Sequence, residues 1–144
     1  MSDMGEGVVD DMPPLIPPGK YQMRCTGWET RLMFGKQAKV GVHLEVCAYG
    51  PFFGTKFTRW YNARELKGRP GRNGKFKAGW SGDLVREYAA IVDMPERSDR
   101  IALTRLREVL LIGHVATVTH DRRQRALPPA LHYSSVNCLE KAIV

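Results

Sequence analysis

Residues 39–62 read KVGVHLEV, CAYGPFFG and TKFTRWYN, and this stretch decides the fold. Val40, Val42, Leu44 and Val46 alternate with Lys39, Gly41, His43 and Glu45, the period of a strand buried on one face. Tyr49-Gly50-Pro51-Phe52-Phe53-Gly54 has the glycine and proline of a turn, and Thr55–Asn62, rich in β-branched and aromatic side chains, reads as the returning strand. Upstream, Tyr21, Met23 and Cys25 alternate with Lys20, Gln22, Arg24 and Thr26, and Phe34-Gly35-Lys36 supplies a hairpin turn between the two runs. Three successive antiparallel strands are the simplest topology.

Downstream, residues 67–79 (KGRPGRNGKFKAG) combine glycines, a proline and bases, and are expected to be a flexible basic loop with no core of its own. Ser81 is placed to cap a helix, with Asp83 in its first turn. Leu84, Val85, Tyr88, Ile91 and Val92 recur at helical spacing, and Pro95 ends the run. Residues 96–108 suit a short helix or an irregular segment equally. Val109–His120, rich in Val, Ile and Thr, reads as a fourth strand, DRRQRALPPA (121–130) as a loop, and HYSSVNCLEKAIV as a fifth strand. The expected fold is mainly β with one or two helices: a five-stranded OB-fold-like barrel with its helix between strands 3 and 4. An α+β sheet covered by one helix gives the same string of elements.

At 144 residues, 43% hydrophobic and 26% charged, the composition is that of one globular domain, which excludes fibrous and wholly disordered classes. No apolar run is long enough to cross a bilayer, and the N-terminus lacks the basic and apolar stretches of a signal peptide. The three cysteines, Cys25, Cys47 and Cys138, form no CxxC pair; a reducing, cytoplasmic setting is expected, with the thiols buried as small hydrophobes. The chain divides into a flexible acidic arm, residues 1–17, ending in PPLIPP, and a single domain, residues 18–144.

The net charge is +7, unevenly spread. The arm carries Asp3, Glu6, Asp10 and Asp11 and no base, whereas Lys56, Arg59, Arg64, Lys67, Arg69, Arg72, Lys75 and Lys77 crowd one stretch against Glu65 alone. Such a field attracts polyanions, although the same pattern also makes a solvated loop. Aromatic side chains interleave with these bases: Trp60 and Tyr61 beside Lys56 and Arg59, and Phe76 and Trp80 beside Arg69, Arg72, Lys75 and Lys77. Rings for stacking and cations for phosphates are what a single-strand binder needs, and bases interleaved with rings are more specific than a bare lysine run. Strand alternation nevertheless requires Phe57 and one of Trp60 or Tyr61 to face inward. Lys20, Arg24 and Trp28 share one face of the first strand and Lys39 lies with His43 on the exposed face of the second; Trp28 suits either a binding face or a barrel plug.

Catalytic patterns are scarce. His43, His114, His120 and His132 stand alone, without HExxH or HxE followed by PCxxC. The carboxylates sit beside bases or on the expected helix surface and form no paired cluster for a two-metal nuclease. GRPGRNGK (68–75) is not GxxxxGK[ST], because Phe76 follows the lysine. Neither a catalytic role nor a cofactor or metal is expected.

PPGKYQMRCTGWE (17–29), VGVHLEVCAYGPFFGTKFTRWYN (40–62) and ATVTHDRRQRALPPALHYSSV (116–136) together resemble the small single-stranded-DNA-binding-like proteins of phages and mobile elements. The resemblance covers residues 17–139, through short structural motifs. It implies an OB-fold, single-stranded DNA in preference to RNA, and a role beside replication or recombination proteins of a phage or plasmid, in a bacterial cell or phage-infected host. Such binders commonly carry a C-terminal acidic tail that recruits partners, whereas this sequence ends EKAIV and places its acids at the front, so recruitment by such a tail is in doubt. Homo-oligomerisation is compatible with this reading; an RNA-binding protein and a protein-interaction module such as an inhibitor or adaptor on the same scaffold are the competing expectations.

Overall fold

The computed structural model describes residues 13–143. Its main strands are β1 (Gly19–Met33), β2 (Gln37–Val46), β3 (Lys56–Asn62), β7 (Leu111–Val118) and β8 (Tyr133–Lys141), with three short strands, β4 (Glu65–Lys67), β5 (Gly71–Arg72) and β6 (Lys75–Lys77), in between. One α-helix, α1 (Asp83–Ile91), follows them, and Leu103–Glu108 and Pro129–Leu131 are 3-10 turns. The large antiparallel sheet runs in the order β3-β2-β1-β7-β8, with β5 added beside β1. Among the described residues no ladder joins β3 to β8, but the two ends of the path lie in contact.

The alternation read in the sequence sets the core. Met23, Val40, Val42, Leu44, Val46 and Leu111 are all at most 1% exposed. Each such side chain removed from water contributes about 1.5–3 kcal/mol. The first hairpin turns at Phe34 and Gly35, both at positive φ (56° and 72°), closed by a bond from Lys36 N–H to the Met33 carbonyl. Left-handed backbone at both central positions matches the twist of the flanking strands.

α1 buries Leu84, Val85, Tyr88 and Ile91, as its spacing predicts, and Asp83 stands in its first turn. The cap differs: Gly82, not Ser81, is the N-cap, without a side-chain bond. Residues 96–108 resolve into an irregular stretch and the turn at Leu103–Glu108, which buries Leu103 and Leu106.

The expectation of a flexible loop at 67–79 is corrected. β4 pairs with β6, with Leu66 opposite Phe76, while Gly71 and Arg72 pair with Thr30 and Glu29 of β1. Phe76 and Ala78 are 6% and 1% exposed. Gly74 is what lets this ribbon lie close: a Cβ there would come within 2.0 Å of Thr30 Oγ1. Of the expected arm 1–17, residues 1–12 lie outside the described residues, and 13–17 run along β8. Ser134 N–H donates to the Pro14 carbonyl at 2.8 Å, and Ile16 is buried.

Candidate nucleic-acid interface

The register of β1, β2 and β3 places residues in rows across the outer face of the sheet. The rows are Arg24, Glu45 and Lys56; Gly27, His43 and Thr58; Glu29, Gly41 and Trp60; and Arg31, Lys39 and Asn62. Directly opposed residues project to the same side, so these form one surface. Arg72, opposite Glu29 on β5, extends the third row.

β1 does not keep one phase along its length. Its register slips between Cys25 and Gly27, a bulge that exchanges the faces of the residues beyond it. Arg24 therefore faces out, Trp28 faces in with Val42, and Glu29 and Arg31 face out. Trp28, expected to share a face with Lys20 and Arg24, instead packs partly against the core and donates Nε1–H to the Gly74 carbonyl at 3.1 Å.

The outer face is concave. A hollow of about 910 Å³ is lined on its floor by Arg24, Glu29, Arg31, His43, Lys56 and Trp60, with Pro13, Pro14 and Tyr133–Ser135 also lining it. A second hollow, about 560 Å³, shares Thr26, Glu29 and His43 with the first and continues to Arg72, Asn73 and Arg107. The Trp60 indole lies over Gly41, where no side chain intervenes, and the Arg31 guanidinium carbon is 4.7 Å from its ring centroid.

Within the face the charges are partly paired. Arg24 bonds Glu45 at 2.6 Å, Arg31 contacts Glu29 at 3.3 Å, and His43 Nε2 is 3.6 Å from the same Glu29 oxygen. His43 Nδ1 lies 3.0 Å from Thr58 Oγ1, and Lys39 bonds Asn62. Lys56 and Arg72 have no ion-pair partner among the described residues. Arg24, Lys56 and Trp60 are thus brought together, with Lys39 and Arg72 on the same surface. Arg31, Glu29 and His43 complete it. Arg31 was not expected there, and its signal was Gly27, a glycine inside a strand that marks the bulge.

Three expected contacts are corrected. Tyr61 is 3% exposed and Phe76 6%, so both rings belong to the core. Arg59 projects inward with them: its Nη2 donates to Glu87 at 2.8 Å, and its guanidinium lies 4.5 Å from the Tyr61 ring centroid. Glu87, expected on the helix surface, is buried at 6% exposure. It accepts from the Tyr61 hydroxyl at 2.6 Å and from Leu139 N–H of β8 at 3.0 Å. Burial, and then the adjacent Glu87 carboxylate, drive the Tyr61 hydroxyl pKa far up. For Arg59, burial works against the charge, but the bond to Glu87 together with the charges of Glu87 and Tyr61 outweighs it and the pKa rises.

The remaining cations lie elsewhere. Lys20 stands opposite His114 on the β1–β7 ladder. Lys75 and Lys77 lie on the β4–β6 ribbon and Arg69 is exposed beside it. Trp80, 53% exposed, borders a hollow with Lys77, Arg97 and Asp99. Asp99 anchors the ribbon through Lys67 at 3.2 Å and also bonds its near neighbour Arg97 at 2.9 Å, and the hydrogen bonds from Arg97 and then Lys67 hold its carboxyl down to about 2. The β7–β8 loop adds Arg122, which stacks 4.8 Å from the Phe34 ring and joins the first hairpin tip to that loop. Of the cysteines only Cys25 is buried, and burial pushes its thiol up; Cys47 and Cys138 are half-buried.

Among the described residues no helix is long and apolar enough to cross a membrane, and no group of histidine, cysteine and carboxylate side chains could hold a metal ion. No family model matches the chain, and neither a curated protein nor a solved structure matches it.

Proposed function

We propose that this protein is a non-catalytic binder of single-stranded DNA, and that the strand lies across the outer face of β1, β2 and β3. The observation that carries the reading is Trp60, set on Gly41 in the middle of a concave surface edged by Arg24, Arg31, Lys39, Lys56 and Arg72. A base stacked on an indole gains about 1–3 kcal/mol whatever its identity, and flanking cations hold the phosphates. Arg31 leaves the ring when a base takes its place and contacts a phosphate instead. We further read the sheet as an OB-like barrel. The strand order, the contact between β3 and β8, and the position of α1 between the third and fourth main strands support this. The preference for DNA and a part in phage or plasmid replication or recombination rest on the sequence resemblance. A protein-interaction role finds support in Tyr49 and Phe53, 104% and 65% exposed at the β2–β3 turn.

The test is binding of a polythymidine oligomer followed by tryptophan fluorescence at several ionic strengths. Quenching is expected, with log K falling against log salt at about 0.7 per phosphate neutralised. Equal or tighter binding of duplex of the same length rejects the single-strand reading. Salt-insensitive absence of binding, together with co-purification of a defined protein, favours the interaction module.

A further inference from the structure

The two hollows of the outer face meet at a carboxylate. Glu29 lines both of them, together with His43 and Thr26. On either side stand cations without an ion-pair partner among the described residues: Lys56 in the first hollow, Arg72 and Arg107 in the second. A carboxylate repels phosphate, so the shared middle suits the bases of a strand, and the unpaired cations beyond it suit its backbone.

Glu29 also stands beside the stacking ring. Glu29 and Trp60 flank Gly41 in one row, the first across the β1–β2 ladder and the second across the β2–β3 ladder. Neighbouring strands are about 4.8 Å apart, so the two backbones are about 10 Å from each other, with no side chain at the position between them. The indole fills that gap, its Cζ3 and Cη2 lying over Gly41. Arg31 joins the two groups: its guanidinium carbon is 4.7 Å from the Trp60 ring centroid, and its Nη2 donates to Glu29 Oε1 at 3.3 Å. His43 Nε2 is 3.6 Å from the same oxygen. Among the described residues nothing donates to Glu29 Oε2.

We propose that Glu29 reads the edge of the base stacked on Trp60 and selects bases that carry an exocyclic amine over thymine and uracil. This rests on the groove being the nucleic-acid site. A base that displaces Arg31 from the ring also takes away the donor at Oε1, and an ionised carboxylate can only accept. The amino group of cytosine, adenine or guanine replaces that donor, as carboxylates accept from cytosine N4 in duplex readout. Thymine and uracil offer only an N3–H set between two carbonyl oxygens, which the carboxylate repels. Stacking thus tolerates any base, while the carboxylate beside it grades them.

The experiment compares oligodeoxycytidine with oligodeoxyuridine of the same length, two pyrimidines without a methyl group, at a pH where cytosine N3 is unprotonated. Affinities are read by tryptophan fluorescence for the unaltered protein, Glu29→Gln and Glu29→Ala. The unaltered protein should bind the cytidine oligomer about three- to tenfold tighter, and both variants should bring the ratio to about one, whatever the change in absolute affinity from the lost charge. Equal affinities in the unaltered protein, or a preference for the uridine oligomer, overturn the base reading and leave the groove assignment standing. A cytidine preference that survives in both variants overturns the role of Glu29. Binding of neither oligomer by the unaltered protein removes the groove assignment and this inference together.

Discussion

The Trp60 indole fills the space that a side chain at position 41 would occupy. A Cβ built on Gly41 would meet Trp60 Cζ3 at 2.7 Å and Cη2 at 2.8 Å. The two residues are opposite partners on the β2–β3 ladder, so the glycine is the ring's floor. Gly41→Ala therefore lifts the indole away from the sheet. The expected result is a shifted tryptophan emission and weaker oligonucleotide binding, with the β-sheet signal in circular dichroism retained.

Removing the ring itself separates stacking from packing. Trp60→Ala should weaken binding by about 1–3 kcal/mol and leave the melting temperature nearly unchanged. Trp28→Ala should do the reverse, because Trp28 packs against the core and bonds the Gly74 carbonyl. Calorimetry and binding isotherms on the two variants check this, and a large stability loss from Trp60→Ala would place that ring among the structural ones.

Lys56 and Arg59 are three positions apart and have opposite fates. Lys56→Ala should weaken binding of all sequences alike and lower the salt slope by about 0.7. Arg59→Ala should act on stability, because it leaves the buried Glu87 carboxylate without its cation. Denaturant titration together with the salt dependence of binding distinguishes them.

Glu87→Ala removes the acceptor for Arg59, for the Tyr61 hydroxyl and for Leu139 N–H at once. Breaking a buried pair from one side costs about 3–5 kcal/mol. That loss should appear in chemical denaturation with little change in intrinsic affinity at a temperature where the variant is folded.

Acid acts on the ribbon through Asp99. Its carboxyl is lowered to about 2 from 3.8, so the stabilisation is fully present above the unfolded value and is lost as pH falls through about 2. A carboxyl NMR titration should show Asp99 ionised well below pH 3, and Arg97→Ala should move its midpoint upward.

Much of the fold was legible because β2 alternates without interruption, β3 is rich in β-branched and aromatic side chains, and the helix stripe at Leu84, Val85, Tyr88 and Ile91 is regular. The basic segment 67–79 was not, since its strands are two or three residues long and are held by partners far away in sequence, Thr30 and Glu29. The site was read half correctly in part because period two assigns faces only while the register holds. Across the Cys25/Gly27 slip, Trp28 and Arg31 exchanged the faces that unbroken alternation assigns. Glu87 looked like any polar residue on a helix, because nothing local announces that Arg59 and Tyr61 will arrive beside it.

Where the first and last strands of the path meet, a single carboxylate stands in for the row of amide-to-carbonyl bonds that joins every other neighbouring pair. A zip of many teeth opens from its end, whereas a rivet fails all at once. Among the described residues the polar bridge across that seam is one side chain, with the core packing of Phe57, Tyr61, Val136 and Leu139 behind it. The fastest-exchanging amides within regular structure should be those of β3 and β8 that face each other, and a strand of DNA that draws β3 outward would meet Glu87 and core packing there rather than a ladder.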